Sequence, residues 1–166
     1  VTGGNRGIGE GFVRELLQAG AARVYVGSRD PQAAAHLVEA APDRCVALEL
    51  DVTDGAEVEA AARRCGDVNL VVNNAGLFAN QLLIGAPDMN AARAEMEINF
   101  FGTLAMCRAF APVLARNGGG AIVNVLSAAA IVPLANMGGY GPSKVATRFL
   151  SSAVRAELAP QGTQVT

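Results

Sequence analysis

Short apolar runs alternate along the chain with segments whose apolar residues recur at helical spacing. Four runs have the length of strands, and their nearly continuous apolar character is typical of parallel strands covered on both faces: residues 23–27, 45–50, 69–72 and 121–126. Such alternation predicts an α/β fold, a doubly wound parallel sheet with helices on both faces in three αβα layers. No repeat or second domain is apparent, so we expect residues 1–166 to form a single domain.

Capping residues and helical spacing predict the first three helices. A helix is expected over residues 8–17, because its apolar positions share one face and Gly20 follows as a stop. Asp30-Pro31 is typical of the start of the second helix, and Asp54 with Glu57 is typical of the start of the third.

Two longer helices follow in the second half of the sequence. One is predicted over residues 90–117, with an interruption near Pro112, and the last over residues 143–158. Residues 164–166 have the character of a new strand, whereas Val1 leaves no room for a strand before the first glycines. We therefore expect the sequence to be a piece of a longer domain, truncated at both ends.

Composition narrows the possible functions. Of the 166 residues, 51% are hydrophobic and 17% charged, and the formal net charge of -2 includes no basic run, so we expect neither nucleic acid nor a membrane as partner. No apolar run reaches the roughly 18 residues of a spanning helix. Cys45, Cys65 and Cys107 form no C-x-x-C pair and are interpreted as core residues of a cytoplasmic protein. With His36 as the only histidine, we expect no metal site and no Ser/His/Asp triad.

The glycine-rich segment 2–9 lies where a strand would end and a helix begins. Glycines at Gly3, Gly7 and Gly9 would let the backbone turn tightly and let a pyrophosphate approach the amides at the helix N-terminus. Three glycines at a fixed spacing also occur by chance, so a tight turn without a ligand is the alternative interpretation.

Tyr140 and Lys144 are the second candidate for chemistry. Lys144 is the only lysine in the sequence, and residues four apart on a helix share a face. A phenol acts as a general acid or base near neutrality only if its pKa is lowered, and a positive charge about 4 Å away supplies roughly the required energy. The alternative is a surface tyrosine beside an ordinary lysine. Gly141-Pro142 lies between the two, which would place Tyr140 at the very start of its helix.

The glycines follow the spacing G-x-x-x-G-x-G, and further motifs follow in order: Asp51-Val52, Asn73-Asn74-Ala75-Gly76, Asn99, Ser127, and Tyr140 with Lys144. In this order and over nearly the whole chain, the sequence resembles the short-chain dehydrogenase/reductase family. The resemblance implies a Rossmann-type domain, here without most of the first strand and the C-terminal substrate lid. It also implies an NAD(P)-dependent enzyme that interconverts a carbonyl group and a secondary alcohol. A protein that binds the cofactor as a sensor or scaffold without turnover is the alternative.

The resemblance assigns roles to four residues. Tyr140 would exchange a proton with the substrate oxygen, Ser127 would hold that oxygen, Lys144 would support the phenol and bond a ribose hydroxyl, and Asn99 would hold a water of a proton relay. From the sequence alone, Ser127 could be only a hydroxyl at a strand end and Asn99 only a buried amide. The implied cofactor-binding residues are Gly3, Asn5, Arg6, Gly7, Ile8, Gly9, Ser28, Arg29, Asp51, Val52, Asn74, Ala75, Gly76, Tyr140 and Lys144.

The residues after the run 23–27, the second strand of the complete domain that we expect, bear on the choice between NADP and NAD. Relatives that prefer NAD usually carry an acidic residue there, whereas this chain has Ser28 followed by Arg29, with Arg6 in the glycine loop. Two guanidinium groups and no carboxylate favour the 2′-phosphate of NADP. In the alternative, Asp30 turns inward and binds the ribose of NAD. Asp51 would face the adenine or, equally, cap the turn that follows it.

Residues 128–139 are expected to line the substrate pocket. Their apolar members, Ile131, Val132, Leu134 and Met137, favour an apolar ketone, aldehyde or alcohol, although they could instead pack against the core or another subunit. The resemblance also implies a homodimer or homotetramer, formed through the segment around residues 95–115 and the helix after Tyr140.

Overall fold

Five strands, all paired in parallel, form the sheet in the computed structural model, which describes residues 1–166. In chain order they are β1 (Val24–Ser28), β2 (Cys45–Glu49), β3 (Leu70–Asn73), β4 (Gly120–Asn124) and β5 (Thr163–Val165). β1 pairs with β2, and β4 lies between β3 and β5. Each of the four strands predicted from the apolar runs is present, within two residues of its expected bounds.

The first two residues join the two parts of the sheet. Thr2 forms a parallel bridge to Gly27 of β1, and its amide donates to the carbonyl oxygen of Val72 in β3 at 2.9 Å. The spatial order is therefore β2, β1, residues 1–2, β3, β4, β5, and the chain moves outward from the centre in both directions. This topology confirms the doubly wound parallel sheet.

Six α-helices connect the strands: α1 (Gly7–Gln18), α2 (Ala35–Ala40), α3 (Gly55–Arg64), α4 (Asn90–Met96), α5 (Thr103–Arg116) and α6 (Tyr140–Leu158). The predicted caps are present. Asp54 accepts hydrogen bonds from the amides of Ala56 and Glu57 at the start of α3. The Asp30 carboxylate caps a 3-10 turn, Pro31–Ala34, which leads into α2.

Side chains of the strands point alternately to the two faces of the sheet and contribute to two buried hydrophobic clusters. Val24 and Val26 of β1 belong to a cluster of six buried residues with Val13 of α1, whereas Tyr25 packs against a second cluster of 16 residues. That larger cluster includes Val58 of α3 and residues of α5. Since successive side chains of a strand point to opposite faces, the two clusters lie on opposite sides of the sheet. Helices thus cover both faces, as predicted.

The long central helix differs from its prediction in one respect. It is continuous through Pro112, so the interruption predicted there was wrong. Pro112 has no amide proton to donate to the carbonyl oxygen of Arg108. Arg108 is an exposed residue, so water can replace the missing donor. The irregularity lies earlier, in a π turn over Glu97–Gly102 between α4 and α5.

By length and composition alone, the helix Asn90–Arg116 could cross a membrane. Its apolar window is interrupted by Arg108, which is why no uninterrupted run of that length is apparent in the sequence. Met106, Phe110 and Leu114 of this helix are buried in the larger core cluster. Core packing therefore accounts for these three apolar residues.

α6 begins three residues before its predicted start, at Tyr140. Pro142 is its third residue, where an amide proton has no partner within the helix, so the proline costs the helix no hydrogen bond. The early start places Tyr140 and Lys144 one turn apart on a single helix, which confirms the predicted spacing on a common face.

Candidate active site

The glycine loop lies at the carboxyl edge of the sheet, between residues 1–2 and the start of α1. Gly3 has a φ of +60°, a conformation that favours glycine. At Gly9, a side chain would collide with the carbonyl oxygen of Gly3. Only a glycine therefore allows α1 to pack this closely against the loop.

Residues that follow β3 hold the glycine loop in place. The side-chain amide of Asn74 donates to the carbonyl oxygens of Thr2 and Gly3, at 3.0 and 3.2 Å. The Thr2 hydroxyl accepts from the amides of Asn74 and Ala75, at 3.0 and 2.9 Å. The two loops are therefore braced against each other by four hydrogen bonds across the centre of the sheet.

A polar cleft of about 540 Å³ opens at this edge, where β1, β2 and β3 end. Ten of the predicted cofactor-binding residues line it: Gly3, Asn5, Arg6, Ser28, Arg29, Asp51, Val52, Asn74, Ala75 and Gly76. Gly7, Ile8 and Gly9 do not line this cleft; Gly9 instead supports the loop from behind. Leu50, Leu77 and Ile98 also line the cleft but were not predicted, because isolated apolar residues after a strand resemble core residues in a sequence.

The end of the cleft beyond β1 is basic. Arg6 and Arg29 are exposed and form no ion pair within the chain. The Ser28 hydroxyl donates to the carbonyl oxygen of Asp30, and the Asp30 carboxylate accepts from the Gln32 amide at 2.9 Å. Asp30 is therefore a helix-start residue, as its sequence context predicts, although it also lines the cleft.

Asp51 is also engaged in a turn. Its Oδ1 atom accepts from the amide and the hydroxyl of Thr53, at 2.9 and 2.7 Å. These hydrogen bonds, followed by the nearby charge of Arg29, lower the pKa of the Asp51 carboxyl group. Of the two roles considered for Asp51, the structure contains the cap of the following turn, and the residue also lies on the wall of the cleft.

Tyr140 and Lys144 lie at the N-terminal end of α6. The Lys144 Nζ atom is 5.7 Å from the centre of the Tyr140 ring and donates to the carbonyl oxygen of Val125 at 2.8 Å. Lys144 is only 5% exposed, and this burial lowers the pKa of its ammonium group. A Cβ atom placed on Gly76, a cleft residue, would be 3.7 Å from Nζ. The ammonium group therefore lies between the phenol ring and the cleft.

Asn99 is a buried amide whose polar atoms all have partners. Its Oδ1 atom accepts from the Leu77 amide at 2.8 Å, and its Nδ2 atom donates to the Leu77 carbonyl oxygen and to the Ser143 hydroxyl, each at 2.9 Å. The Asn99 carbonyl oxygen lies 2.8 Å from the Thr103 hydroxyl and 2.9 Å from that of Thr147. Asn99 thus ties the loop after β3 to α6.

Ser127 lies at the end of β4, at the start of a 3-10 turn, Ala128–Ala130. Its hydroxyl accepts from the Ala129 amide at 3.2 Å. Ala130 of this turn accepts from Arg148 of α6 at 3.4 Å. The turn that Ser127 caps is therefore held against the helix that carries Tyr140 and Lys144.

A second, apolar cavity of about 790 Å³ lies next to the start of α6. Gly141 and Pro142, which follow Tyr140, line it, together with Ala129, Ile131, Leu134 and Met137 from the predicted substrate segment. The segment after β3 contributes Leu82, Leu83 and Ile84 to the opposite wall. Val132, also predicted here, does not line the cavity.

Phe78 is a neighbour of Tyr140 that the sequence did not single out. Its ring centre is 5.1 Å from that of Tyr140, with an angle of 55° between the planes. The only signal was an aromatic residue two positions after Asn74-Ala75-Gly76, and such a residue is equally typical of a core.

Comparison with known proteins adds independent evidence. A family model described as short chain dehydrogenase matches residues 1–166. The chain is 34% identical to estradiol 17-beta-dehydrogenase 2 of Mus musculus, over 99% of this chain and 45% of that protein. It is also 34% identical to L-2,3-butanediol dehydrogenase of Corynebacterium glutamicum, over 98% of this chain and 66% of that protein.

A solved structure is more similar still. The crystal structure of a short chain dehydrogenase from Burkholderia cenocepacia J2315 in complex with NADP is 46% identical and has a TM-score of 0.92. The alignment covers 99% of this chain and 67% of that one. Among the curated relatives, the chain spans between 38 and 66% of the relative's length.

Proposed function

The chain belongs to the short chain dehydrogenase family, and on that premise we propose that it is an NADP-dependent oxidoreductase that interconverts a carbonyl group and a secondary alcohol. One observation carries the proposal. Tyr140 and Lys144 share the first turns of α6. Gly76 of the polar cleft lies next to Lys144, and Gly141 and Pro142, which follow Tyr140, line the apolar cavity. A proton donor between a cofactor cleft and a substrate cavity is the arrangement that carbonyl reduction requires.

The cleft is suited to a dinucleotide. At Gly9 a side chain would collide with the loop backbone, and the exposed guanidinium groups of Arg6 and Arg29 have no partner in the chain. Backbone amides at a helix N-terminus and unpaired guanidinium groups are the groups that bind phosphates. When bound, the nicotinamide would supply or accept the hydride.

The chain's own residues would move the proton. Tyr140 would donate its phenolic proton to the carbonyl oxygen during reduction and take it back from the alcohol during oxidation. Lys144 uses one of its three N–H groups on Val125, which leaves two for the phenol and a ribose hydroxyl. Ser127, which caps the turn Ala128–Ala130 against α6, would orient the substrate oxygen.

Asn99 would contribute through its carbonyl oxygen. The Thr147 hydroxyl lies 2.9 Å from this oxygen and 2.8 Å from the carbonyl oxygen of Ser143. Because a hydroxyl has a single proton, Thr147 can donate to only one of the two at a time. The Asn99 carbonyl oxygen also accepts from the Thr103 hydroxyl at 2.8 Å. When Thr147 donates to Ser143, one lone pair of this oxygen would remain for a water molecule that connects Lys144 to solvent.

NADP is proposed over NAD because two arginines of the cleft have no ion-pair partner in the chain. Arg6 and Arg29 offer two guanidinium groups, while the Asp30 carboxylate is engaged by the Gln32 amide. The dehydrogenase from Burkholderia cenocepacia, 46% identical, contains NADP. A dianionic 2′-phosphate would gain charge-assisted hydrogen bonds here that the hydroxyl of NAD would not.

Turnover tests the proposal directly. The full chain should oxidise NADPH, followed by absorbance at 340 nm, with a member of an apolar carbonyl panel of cyclohexanone, acetophenone and decanal. Tyr140→Phe should lower kcat by about 10²- to 10⁴-fold, because the phenolic proton is lost, and should leave the Kd for NADPH within about twofold. Equal turnover by Y140F, or no turnover by a folded chain that binds NADPH, would contradict the proposal.

We also propose that the protein assembles as a homodimer or homotetramer through its long helices. Phe101 of the π turn and Phe149 of α6 are 48 and 72% exposed. Exposed aromatic side chains on neighbouring helices are typical of an interface. Sedimentation velocity of the full chain and of Phe149→Ser should give a smaller species for the variant.

A further inference from the structure

Phe78 is the only aromatic side chain that packs against the ring of Tyr140. The two ring centres are 5.1 Å apart, a tilted geometry that is favourable for aromatic pairs. Phe78 is nevertheless 47% exposed, so about half of its side chain is left uncovered next to the residue that is proposed to donate the proton.

The backbone on both sides of Phe78 is fixed by side chains from one helix. Asn99 bonds both the amide and the carbonyl oxygen of Leu77, at 2.8 and 2.9 Å. Glu95 accepts from the Ala79 amide at 2.8 Å. Glu95 and Asn99 therefore project towards the same loop and hold residues 77 and 79 together. The ring between them has little freedom to move away from Tyr140.

Glu95 is unusual in its own right. It is 2% exposed, and no lysine, arginine or histidine pairs with it. Burying a carboxylate without a counter-charge is costly. A side chain on Gly139, the residue before Tyr140, would lie 2.8 Å from the second carboxylate oxygen of Glu95. The carboxylate therefore lies between residues 77–79, here called the Phe78 loop, and the start of α6. Core packing does not require a carboxylate at this position.

We propose that Phe78 is a positioning and specificity-determining residue of the active site, and that Glu95 acts through it by holding its loop. The side of the Phe78 ring that packs on Tyr140 sets the orientation of the phenol. The exposed side forms a wall against which the apolar group of the substrate packs. This inference rests on the proposed function, since it concerns the same proton donor.

Four single variants and one double variant of the full chain test the inference. Phe78→Ala and Glu95→Leu should each lower kcat about tenfold or more, because a small displacement of a reacting group is costly. Phe78→Tyr keeps the ring and Glu95→Gln keeps the acceptor oxygen, so both should restore most of the lost kcat. If Glu95 acts through Phe78, the double variant F78A/E95L should be no slower than the slower single variant.

Two further measurements distinguish positioning from a general loss of structure. F78A should raise KM for acetophenone several-fold more than KM for acetone, because only the larger ketone reaches the wall. In E95L, but not in E95Q, the Ala79 amide should exchange with deuterium at least tenfold faster, a change that needs no substrate. Glu97→Leu, which replaces an exposed carboxylate two residues along the helix, serves as the matched control and should change neither quantity.

The outcomes separate the two proposals. If the wild-type chain turns over no carbonyl compound, the proposed function fails, whatever the exchange rates show. If the wild type is active and F78A retains its kcat and its KM ratio, the role of Phe78 is overturned. Equal losses in E95Q and E95L, or additive losses in the double variant, would overturn the action of Glu95 through Phe78.

Discussion

At the scale of single residues, the charged side chains of the polar cleft predict a difference between the affinities for NADPH and NADH. At the end of β1 the cleft offers two guanidinium groups without ion-pair partners, while one oxygen of the Asp30 carboxylate accepts from the Gln32 amide. We therefore expect Arg29→Ala to weaken binding of NADPH by about 10- to 100-fold, the worth of one charge-assisted hydrogen bond to a phosphate. Fluorescence titration of the reduced nicotinamide measures both cofactors, and binding of NADH should change less than about twofold.

Arg6→Ala should show the same preference in the same assay, since Arg6 also lines the cleft and has no ion-pair partner. The double variant should then bind NADPH and NADH with similar affinity. Equal weakening of both cofactors by R29A would instead place Arg29 against a group that the cofactors share.

At the scale of elements, α6 is held in register by a row of buried hydroxyl groups. Ser143, Thr147 and Ser151 recur every fourth residue and are at most 4% exposed. The Ser151 hydroxyl accepts from the side-chain amide of Asn124 in β4 at 2.9 Å. This row fixes the rotation of the helix about its axis, and with it the direction of Tyr140 and Lys144.

Ser151→Ala should accordingly destabilise the fold by about 1–3 kcal/mol, because it leaves a buried amide donor of Asn124 without an acceptor. Ser152→Ala, a neighbouring exposed position, should stay within about 0.5 kcal/mol of wild type. Urea unfolding followed by circular dichroism compares the two. Equal stabilities of S151A and S152A would show that the row does not secure the helix.

The elements also show what sequence reasoning could predict. Apolar runs placed the four predicted strands within two residues, and Asp54 predicted the start of α3, because strand burial and helix capping are local in sequence. The π turn at Glu97–Gly102 was missed because it depends on the tertiary contacts of Asn99. The break near Pro112 was wrongly predicted because the carbonyl group that loses its partner there belongs to an exposed residue, Arg108. Likewise, the pairing of Phe78 with Tyr140 joins residues 62 positions apart, which no local pattern shows.

At the scale of the whole molecule, the three cysteines make the free energy of unfolding depend on pH in the alkaline range. All three are buried and free. Burial raises the pKa of the Cys65 and Cys107 thiols to about 11, above the ordinary value of 9, and it also raises that of Cys45. At a pH between the ordinary pKa of 9 and the raised pKa of about 11, the unfolded chain loses thiol protons that the folded chain keeps. The thiols therefore stabilise the fold fully below pH 9, and this contribution is lost as the pH rises towards 11.

We expect the free energy of unfolding to fall by more than about 1 kcal/mol between pH 9 and 11, measured by urea titrations across that range. Replacing Cys65 and Cys107 together by alanine should flatten this part of the profile. At pH 8 the native thiols should also resist alkylation by iodoacetamide, while the chain in urea reacts at all three. Rapid alkylation of the native protein would contradict the burial of these groups.

The π turn allows the helix Asn90–Arg116 to differ in length by one residue and stay continuous. A π turn holds one more residue than the α-helical turn that it replaces, so it is equivalent to a one-residue insertion absorbed without breaking the helix. Removing one residue between Glu97 and Gly102 would restore regular α-helix and rotate the two ends by about 100° relative to each other. Met106 and Phe110 would keep their place in the core, while Glu95 would turn away from the Phe78 loop. Insertions and deletions at this turn therefore offer a route by which the active site could be altered without redesign of the sheet.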